Sequence, residues 1–351
     1  MRTPRVTSRR VAELAGVSQT TVSFVLNNVD SANISEETRQ RVLEAARSIG
    51  YVPDASARTL ARGRSTNIGL ILLQPHEQVF IDEYMPRIIT GLSQITRQHG
   101  YRILVELIED GSHPNTYLDL IRGKEVAGII VNFNSPSDSD IEALVASVAE
   151  GAPVVALYNY HEALNYAVVD KLEGVRHAVE HLIRLGHKRI ACITYAPVPI
   201  HREATRRFHI YRDTLLKAGL EFDETLVRYG NYDPETGYEA MKSILAASPL
   251  PTALFAMNDV MAFGAMTAIQ EAGLRVPQDV AVVGFDDIRL ARHTTPALTT
   301  VREPDIEQGW TAGKMLIDLI TNKSLDQNHI VLKTELKIRD SCGFRLQGGP
   351  V

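Results

Sequence analysis

The stretch Val6-Thr7-Ser8-Arg9-Arg10-Val11-Ala12-Glu13-Leu14-Ala15-Gly16-Val17-Ser18-Gln19-Thr20-Thr21-Val22-Ser23-Phe24-Val25-Leu26-Asn27 decides the reading of this chain. Thr7 is placed to cap a first helix, since its hydroxyl can accept a bond from a free backbone N–H. Val11, Leu14 and Ala15 recur at helical spacing and predict one apolar stripe. Gly16 follows the last apolar position, where a left-handed residue is cheapest. Ser18 is the next cap, and a second helix is expected to run to about Leu26 with Val22, Val25 and Leu26 facing inward. That leaves Ser18, Gln19, Thr20, Ser23 and Phe24 near its outer face. Hydroxyls and amides at the start of a second helix suit contacts to base edges and phosphates. A third helix is expected from Ser35, helped by Glu36 and Glu37 at its N-terminal dipole, with Val42, Leu43, Ala46 and Ile49 inside.

Charge separates this head from the rest. Residues 1–66 hold ten arginines and no lysine against six acids, a charge of +4. The whole chain carries −5, so the remainder carries −9. A basic head on an acidic body is the electrostatic footprint of a DNA reader. Pro53 then breaks the third helix, and residues 53–63 form a short, Arg-rich segment (Arg58, Arg62, with Arg64 beyond) around Leu60. One or two helical turns of this kind are marginal alone and suit a segment that folds on DNA.

The head, the "GYVPDASARTL" hinge and the later strings "NDVMAFGAM" and "VVGFDD" occur in order. Together they resemble the LacI (lactose repressor) family of bacterial transcription regulators, over almost the whole chain from Val6 to about Gly343. The resemblance implies that the second helix enters the major groove, with Gln19 and Thr20 at the main base-reading positions. Thr7, Ser18, Ser23, Phe24 and Asn27 then lie nearby. It implies that the hinge helix, with Ala57 and Arg58, enters the minor groove as a dimer, and that Leu60 wedges between central base pairs and kinks the duplex. The chain departs from the family pattern at three places in the head and hinge. Phe24 stands where many relatives carry Arg, Asp54 where Asn is usual, and Arg10 where an acid is common.

Bulk properties bound the rest. At 351 residues and 44% hydrophobic, the chain suffices for two or three units with full cores. No apolar run reaches membrane-spanning length, and no signal-peptide pattern is evident, so a cytoplasmic location is expected. Cys192 and Cys342 fit no metal motif and are expected as ordinary reduced thiols. After Arg339-Asp340-Ser341-Cys342-Gly343 no heptad pattern follows, so a dimer through the body is expected rather than a coiled-coil tetramer.

From Asn67 onward near-continuous apolar strands alternate with helices. Expected strands include 68–73, 102–108, 127–131, 154–157, 189–194, 253–257, 280–284 and a last strand Ile330–Lys337. This pattern indicates parallel sheets covered on both faces. Two such series predict an α/β core of two doubly wound parallel-sheet subdomains behind an all-α helix-turn-helix head, and the resemblance implies a core like that of periplasmic binding proteins. The expected division is a head at 1–50, a hinge helix and linker at 51–66, a core at 67–345 and a tail at 346–351. Within the core, subdomain 1 takes about 67–164 and 296–324, and subdomain 2 about 165–295 and 325–345.

Ligands in such sheets bind at the carboxyl ends of strands, so a cleft between the subdomains is the expected site. The resemblance implies that this cleft closes on a small effector. Six positions are carried over from it: Tyr84, Asn132, Arg207, Tyr232, Asn258 and Asp286. Arg207 lacks the usual downstream Gly, since Ile210 stands there, and Glu303 takes a place more often Gln. Amides, a carboxylate and a guanidinium beside aromatic faces suit a hydroxylated ligand. A sugar or related polar metabolite leads, with a nucleoside or purine next. Each residue also has a plainer role open to it: Asn258 and Asp286 as helix caps, Tyr232 packed on the next helix, Arg207 paired with an acid.

Other constellations are weaker. His177 and His181 lie four apart, a metal-compatible spacing, but Glu180 and Arg184 beside them favour a solvated helix face. No GxGxxG loop, nucleophile elbow or Ser-His-Asp arrangement occurs, so no enzyme, cofactor or metal is expected. The sequence therefore predicts a dimeric, operator-binding regulator, most simply a repressor, controlled by a small molecule. The competing reading is a solute-binding protein for a sugar without direct DNA regulation.

Overall fold

The computed structural model describes residues 6–26, 34–52, 65–73, 83–108, 116–133, 136–195 and 202–344. The head is α1 (Ser8–Ala15), α2 (Gln19–Leu26) and α3 (Glu36–Ser48). Gly16 ends α1 in the left-handed region at φ +63°, and its N–H returns to Ala12 O. The Ser18 hydroxyl accepts from Thr21 N at 3.0 Å and starts α2. Ser35 caps α3 in the same way through Thr38 N. Thr7 occupies the cap position of α1, but its side chain makes no capping bond.

The head core is Val11, Ala12, Ala15, Val22, Val25, Val42, Ala45 and Ala46. Leu14, expected inside, is 48% exposed, and Ala12 is buried instead. At about 100° per residue the two flank the Val11–Ala15 axis equally, so α1 alone cannot choose between them. Packing against α2 and α3 makes the choice.

The body holds two six-stranded sheets. The first runs β2 (Arg102–Ile108), β1 (Asn67–Leu73), β3 (Ile129–Phe133), β4 (Val154–Ala156), β5 (Asn165–Asp170), β11 (His329–Lys333) in spatial order, and all neighbours are parallel. The second runs β7 (Val227–Gly230), β6 (Ile190–Tyr195), β8 (Ala253–Ala256), β9 (Ala281–Asp286), β10 (Thr299–Arg302), β12 (Glu335–Lys337). Here only β12 is antiparallel, against β10. Both faces of β1 are covered. Ile68, Leu70 and Leu72 join one apolar cluster, while Ile71 and Leu73 join another on the opposite face. That two-sided burial is why the strand reads as a continuous apolar run.

The intervening helices are α4 (Tyr84–Gln98), α5 (Thr116–Arg122), α6 (Asp138–Ala149), α7 (Lys171–Arg184), α8 (Arg202–Lys217), α9 (Pro234–Leu245), α10 (Asp259–Glu271) and α11 (Asp305–Ile320). Among the described residues no helix is long and apolar enough to cross a membrane. On the first sheet α4 lies against α11 at glycine-thin separation: a Cβ added to Gly91 would sit 1.8 Å from Ile306 O, and one on Gly309 would sit 2.1 Å from Ile88 O.

The sheets move the subdomain boundaries drawn from sequence. Strands 165–170 and 329–333 belong to the first sheet, and 299–302 to the second. The chain crosses between sheets three times: at Asp170/Lys171, at Glu303–Pro304, and at Thr334. The expected last strand Ile330–Lys337 is thus two strands in two different sheets. A crossover leaves no mark on apolar periodicity, because both halves alternate toward a core.

Candidate functional site

The head presents α2 outward. Ser18, Gln19, Thr20 and Phe24 are exposed and Ser23 is half-buried. Val22 and Val25 anchor the opposite face in the head core. No acid occupies the first turn of α2. Its N-terminal N–H groups and dipole therefore favour an anion such as a phosphate. Ser18 is committed to the cap and also bonds Thr21 Oγ1 at 2.9 Å, so Gln19 and Thr20 are the polar side chains left to reach outward. Thr7 is exposed at the start of α1. Asn27, Ala57, Arg58 and Leu60 lie outside the described residues.

In the body five of the six effector candidates fall into two groups of contacts, one running from Tyr84 and Asn132 through Lys171 and Glu303 to Arg207, the other joining Tyr232, Tyr195 and the start of α10 at Asn258. Tyr84 opens α4, and its hydroxyl donates to Asn132 Oδ1 at 3.4 Å. Asn132 is fully buried on β3, and its Nδ2 has no hydrogen-bond partner among the described residues. Asn258 caps α10, its Oδ1 accepting from Met261 N at 2.8 Å. Its Nδ2 is likewise buried and unmatched among the described residues. Capping therefore accounts for only half of this amide. A buried amide donor without an acceptor costs about 1–3 kcal/mol, which a ligand oxygen at these strand ends would recover.

Tyr232, at φ +55°, stacks on Tyr195 with ring centroids 4.0 Å apart and planes within 17°. The Tyr195 hydroxyl donates to Met257 O, next to Asn258, at 2.8 Å. Arg207 lies over the Phe285 ring at 4.7 Å. The next residue, Asp286, ends β9 at φ +108°, and Asp287 follows at φ +49°. Two consecutive non-glycine residues on that side of the map need outside support. Arg87 of α4 gives it, donating to Asp286 O at 2.9 Å and Asp287 O at 2.7 Å.

One residue absent from the sequence reading sits at the centre. The Lys171 ammonium contacts Glu303 Oε2 at 2.6 Å, and Arg207 approaches Glu303 Oε1 at 3.5 Å. All three residues are buried. Lys171 also stands 4.5 Å from the Tyr84 ring centre and 5.8 Å from that of Tyr158. One face of Tyr84, expected to meet the ligand, is therefore taken by a cation. Burial is the strongest single influence and opposes the charge of Lys171, yet the Glu303 carboxylate, Tyr158 and Asp305 together outweigh it and hold the ammonium above its ordinary value. Burial likewise works against Glu303, and Lys171 and then Arg207 keep its carboxyl low. Asp305, buried beside Glu303 and 3.6 Å from Arg87, is pushed well above the carboxylate range by burial and then by Glu303.

A signal for Lys171 existed. It opens α7, and a cation there opposes the helix dipole, so only a counter-charge makes it tolerable. The Glu at 303 was visible as a departure from Gln, but nothing in sequence joins it to a residue 132 positions away.

A groove of about 1080 Å³ lies between α4, α11 and residues 287–293, and it reaches Glu303 and Asp305. Its lining includes Arg87, Arg292 and Trp310 but none of the six candidates. Among the described residues no group of three or more His, Cys, Asp or Glu side chains is arranged to hold a metal ion, and His177 Nε2 lies 3.1 Å from Glu173 Oε1. His181 is buried rather than solvated, with Nε2 3.3 Å from Cys342 Sγ. Burial lowers its pKa to about 4.

An outward-facing helix-turn-helix head on a two-sheet α/β core defines the class of DNA-binding regulators. Two family profiles match: "Bacterial regulatory proteins, lacI family" over residues 9–54, and "Periplasmic binding protein-like domain" over 179–342. The HTH-type transcriptional regulator CelR of Thermobifida fusca is 33% identical over 341 residues, covering 96% of this chain and 98% of that protein. The HTH-type transcriptional repressor PurR of Haemophilus influenzae (strain PittEE) is 32% identical over 342 residues, covering 95% and 98%. A lac repressor dimer bound to operator and the anti-inducer ONPF superposes with a TM-score of 0.83 at 28% identity, covering 96% of this chain and 99% of that one. A CelR–cellobiose complex gives 0.70 at 31%, covering 96% and 100%. The chain belongs to the LacI family of bacterial regulatory proteins, and it is a DNA-binding transcription regulator rather than an enzyme.

Proposed function

We propose that the chain is a cytoplasmic repressor that binds a palindromic operator as a homodimer and is switched by a sugar or related polar metabolite in the cleft. The observation that carries the effector half is the pair of fully buried amides, Asn132 and Asn258, each with a donor unmatched among the described residues. They stand at strand ends with Arg207 and the Tyr195–Tyr232 stack, a donor set beside a flat apolar wall. Such sites reject ligands that lack the matching hydroxyls, because buried polar groups would be left unpaired. The relative solved with cellobiose supports a sugar over a nucleoside. The exposed α2 carries the DNA half, with Gln19 and Thr20 as base readers and Phe24 supplying apolar contact. Thr7, Ser18, Ser23 and Asn27 help to position it. Ala57, Arg58 and Leu60 act at the centre of the site in the minor groove.

For the dimer, the exposed Leu290, Ile306 and Trp310 around the α4–α11 groove supply an apolar face that a second copy would cover. Effector binding alters the angle between the subdomains and hence the spacing of the two heads. This coupling is reciprocal, so DNA alters effector affinity by the same factor. The test is selection from a randomised duplex pool, repeated with cellobiose, other sugars and nucleosides. The proposal expects an enriched palindrome and a ligand that shifts its affinity. A chain that binds a sugar yet enriches no sequence at low salt would instead be a solute-binding protein without direct DNA regulation.

A further inference from the structure

Three segments cross between the subdomains, and a rotation of one subdomain on the other must pass through them. Lys171 is the first residue after the first crossing, and Glu303 is the first residue after β10, at the second. The third crossing is tied to the first more weakly, Thr334 Oγ1 donating to Asp170 O at 3.3 Å. The 2.6 Å contact between Lys171 and Glu303 thus joins two hinge strands that sequence places far apart. It does so where neither charge is solvated, so screening by salt does little to weaken it.

The same carboxylate faces the cleft's arginine. Glu303 Oε1 lies 3.5 Å from Arg207, a looser approach than its contact with Lys171. The Lys171 ammonium in turn lies over Tyr84, whose hydroxyl bonds Asn132. Effector candidates of both subdomains therefore converge on one ion pair at the hinge. The other charged groups facing the pair are Asp305 and, beyond it, Arg87.

We infer that Lys171 and Glu303 form a latch across the hinge, which sets the resting angle between the subdomains, and that Lys171 is a positioning residue for the effector response. A ligand group that engages Arg207 competes with Glu303 for the same guanidinium and so acts on the latch directly. A buried pair kept only for stability would serve no better than two well-packed neutral side chains. A latch makes a different demand, because its loss changes the population of hinge states even when the fold is intact.

The inference rests on the regulator reading, since DNA affinity is the readout. The experiment uses the full chain and the duplex that it enriches from a random pool, without any effector. Lys171→Met, Glu303→Gln and the double variant are compared by thermal melting and by anisotropy of the labelled duplex. Each single variant should melt lower, because it strands one buried charge or polar group. The double variant should regain most of the lost melting temperature yet differ from the unaltered chain in DNA affinity by on the order of five-fold or more, the lower range of coupling between sites. Lys171→Arg, which keeps the charge, should stay within about two-fold on DNA, below that range. A double variant that melts normally and binds DNA as the unaltered chain does would reduce the pair to a structural contact. If the double variant fails to fold, Glu303→Asp decides, because it keeps the charge but draws the carboxylate back from Lys171: a DNA affinity changed by about five-fold or more in the folded protein supports the latch, and an affinity within about two-fold of the unaltered chain overturns it. Absence of any specific DNA binding by the unaltered chain would instead sink the regulator reading.

Discussion

Replacing Gly91 by Ala should destabilise the first subdomain far more than an alanine normally would in a helix. The new Cβ would stand 1.8 Å from Ile306 O, whereas Cβ contacts below 3.0 Å essentially never occur, so α4 and α11 must part by at least about 1.2 Å. The obstacle is backbone, so no side-chain rotation relieves it. A gap of about 0.5–1 Å already forfeits a quarter to a half of each dispersion contact. Ile88, Leu92 and Ile95 on α4 and Ala312, Met315 and Leu316 on α11 would all feel it. Overpacking usually costs about 1–3 kcal/mol, and here the loosened helix pair adds to it, against a gain of about 1 kcal/mol from helix propensity. The net expectation is about 3 kcal/mol, or roughly 6–12 °C in melting temperature for a unit of this size. Differential scanning calorimetry of the full chain measures it, with Gly100→Ala as the control. Gly100 has φ +74° and nothing within 4 Å of its added Cβ, so only backbone strain of about 1–2 kcal/mol applies. Equal melting of the two variants, or Gly91→Ala within a degree of the unaltered chain, would refute the packing argument.

Other consequences follow from single contacts. His181 titrates near 4 in the folded chain against 6.5 when free, so its contribution to stability is complete above pH 6.5 and is lost as pH falls toward 4. That loss is at most about 3 kcal/mol, and His181→Gln should flatten a urea-unfolding profile taken between pH 7.5 and 4.5. Gln19→Ala should cost about 1–3 kcal/mol of discrimination at one base position of the selected site while leaving the salt slope unchanged. A uniform loss across all sequences would place Gln19 on phosphates instead. Asn258→Asp keeps the oxygen that caps α10 but turns the buried donor into an acceptor beside buried Asp259, so effector affinity should fall by about ten-fold or more, and melting should fall with it because the new carboxyl is fully buried. Isothermal titration with the selected sugar reads this, and unchanged affinity would remove Asn258 from the site.

The head was legible almost to the residue, because its determinants are local. Gly16 ends α1, Ser18 starts α2, and Ser35 starts α3, each through groups within four positions. Leu14 escaped because helix geometry permits two equivalent faces and tertiary packing selects one. The alternation of apolar strands and helices identified the core, and β1 in particular could hardly be anything but a two-sided buried strand. Polar β10 and the short edge strand β7 carry little such signal, and they were passed over. Without β10 the second crossing could not be placed, and the subdomain boundaries went with it.

The candidate site was legible only in part for a similar reason. Tyr84, Asn132 and Asn258 were marked by the family resemblance, and the structure puts them at element ends. Lys171, Glu303 and Arg87 act through partners more than a hundred residues away, and a single sequence does not display such pairings. Arg87 holds the strained Asp286–Asp287 backbone from the other subdomain, so even the candidate carboxylate depends on a residue that no local pattern reveals.

The central claim is that one chain reads DNA with α2 and is switched by a ligand held at Arg207. The most direct measurement is anisotropy of the selected duplex, titrated with the full chain at fixed salt, with and without the selected sugar, for the unaltered chain and for Arg207→Ala. The account predicts nanomolar-range specific binding that the sugar shifts by on the order of 5–150-fold in the unaltered chain. In Arg207→Ala it predicts that DNA binding persists and the shift disappears. Specific binding that ignores every ligand, or a ligand effect that survives in Arg207→Ala, would contradict it.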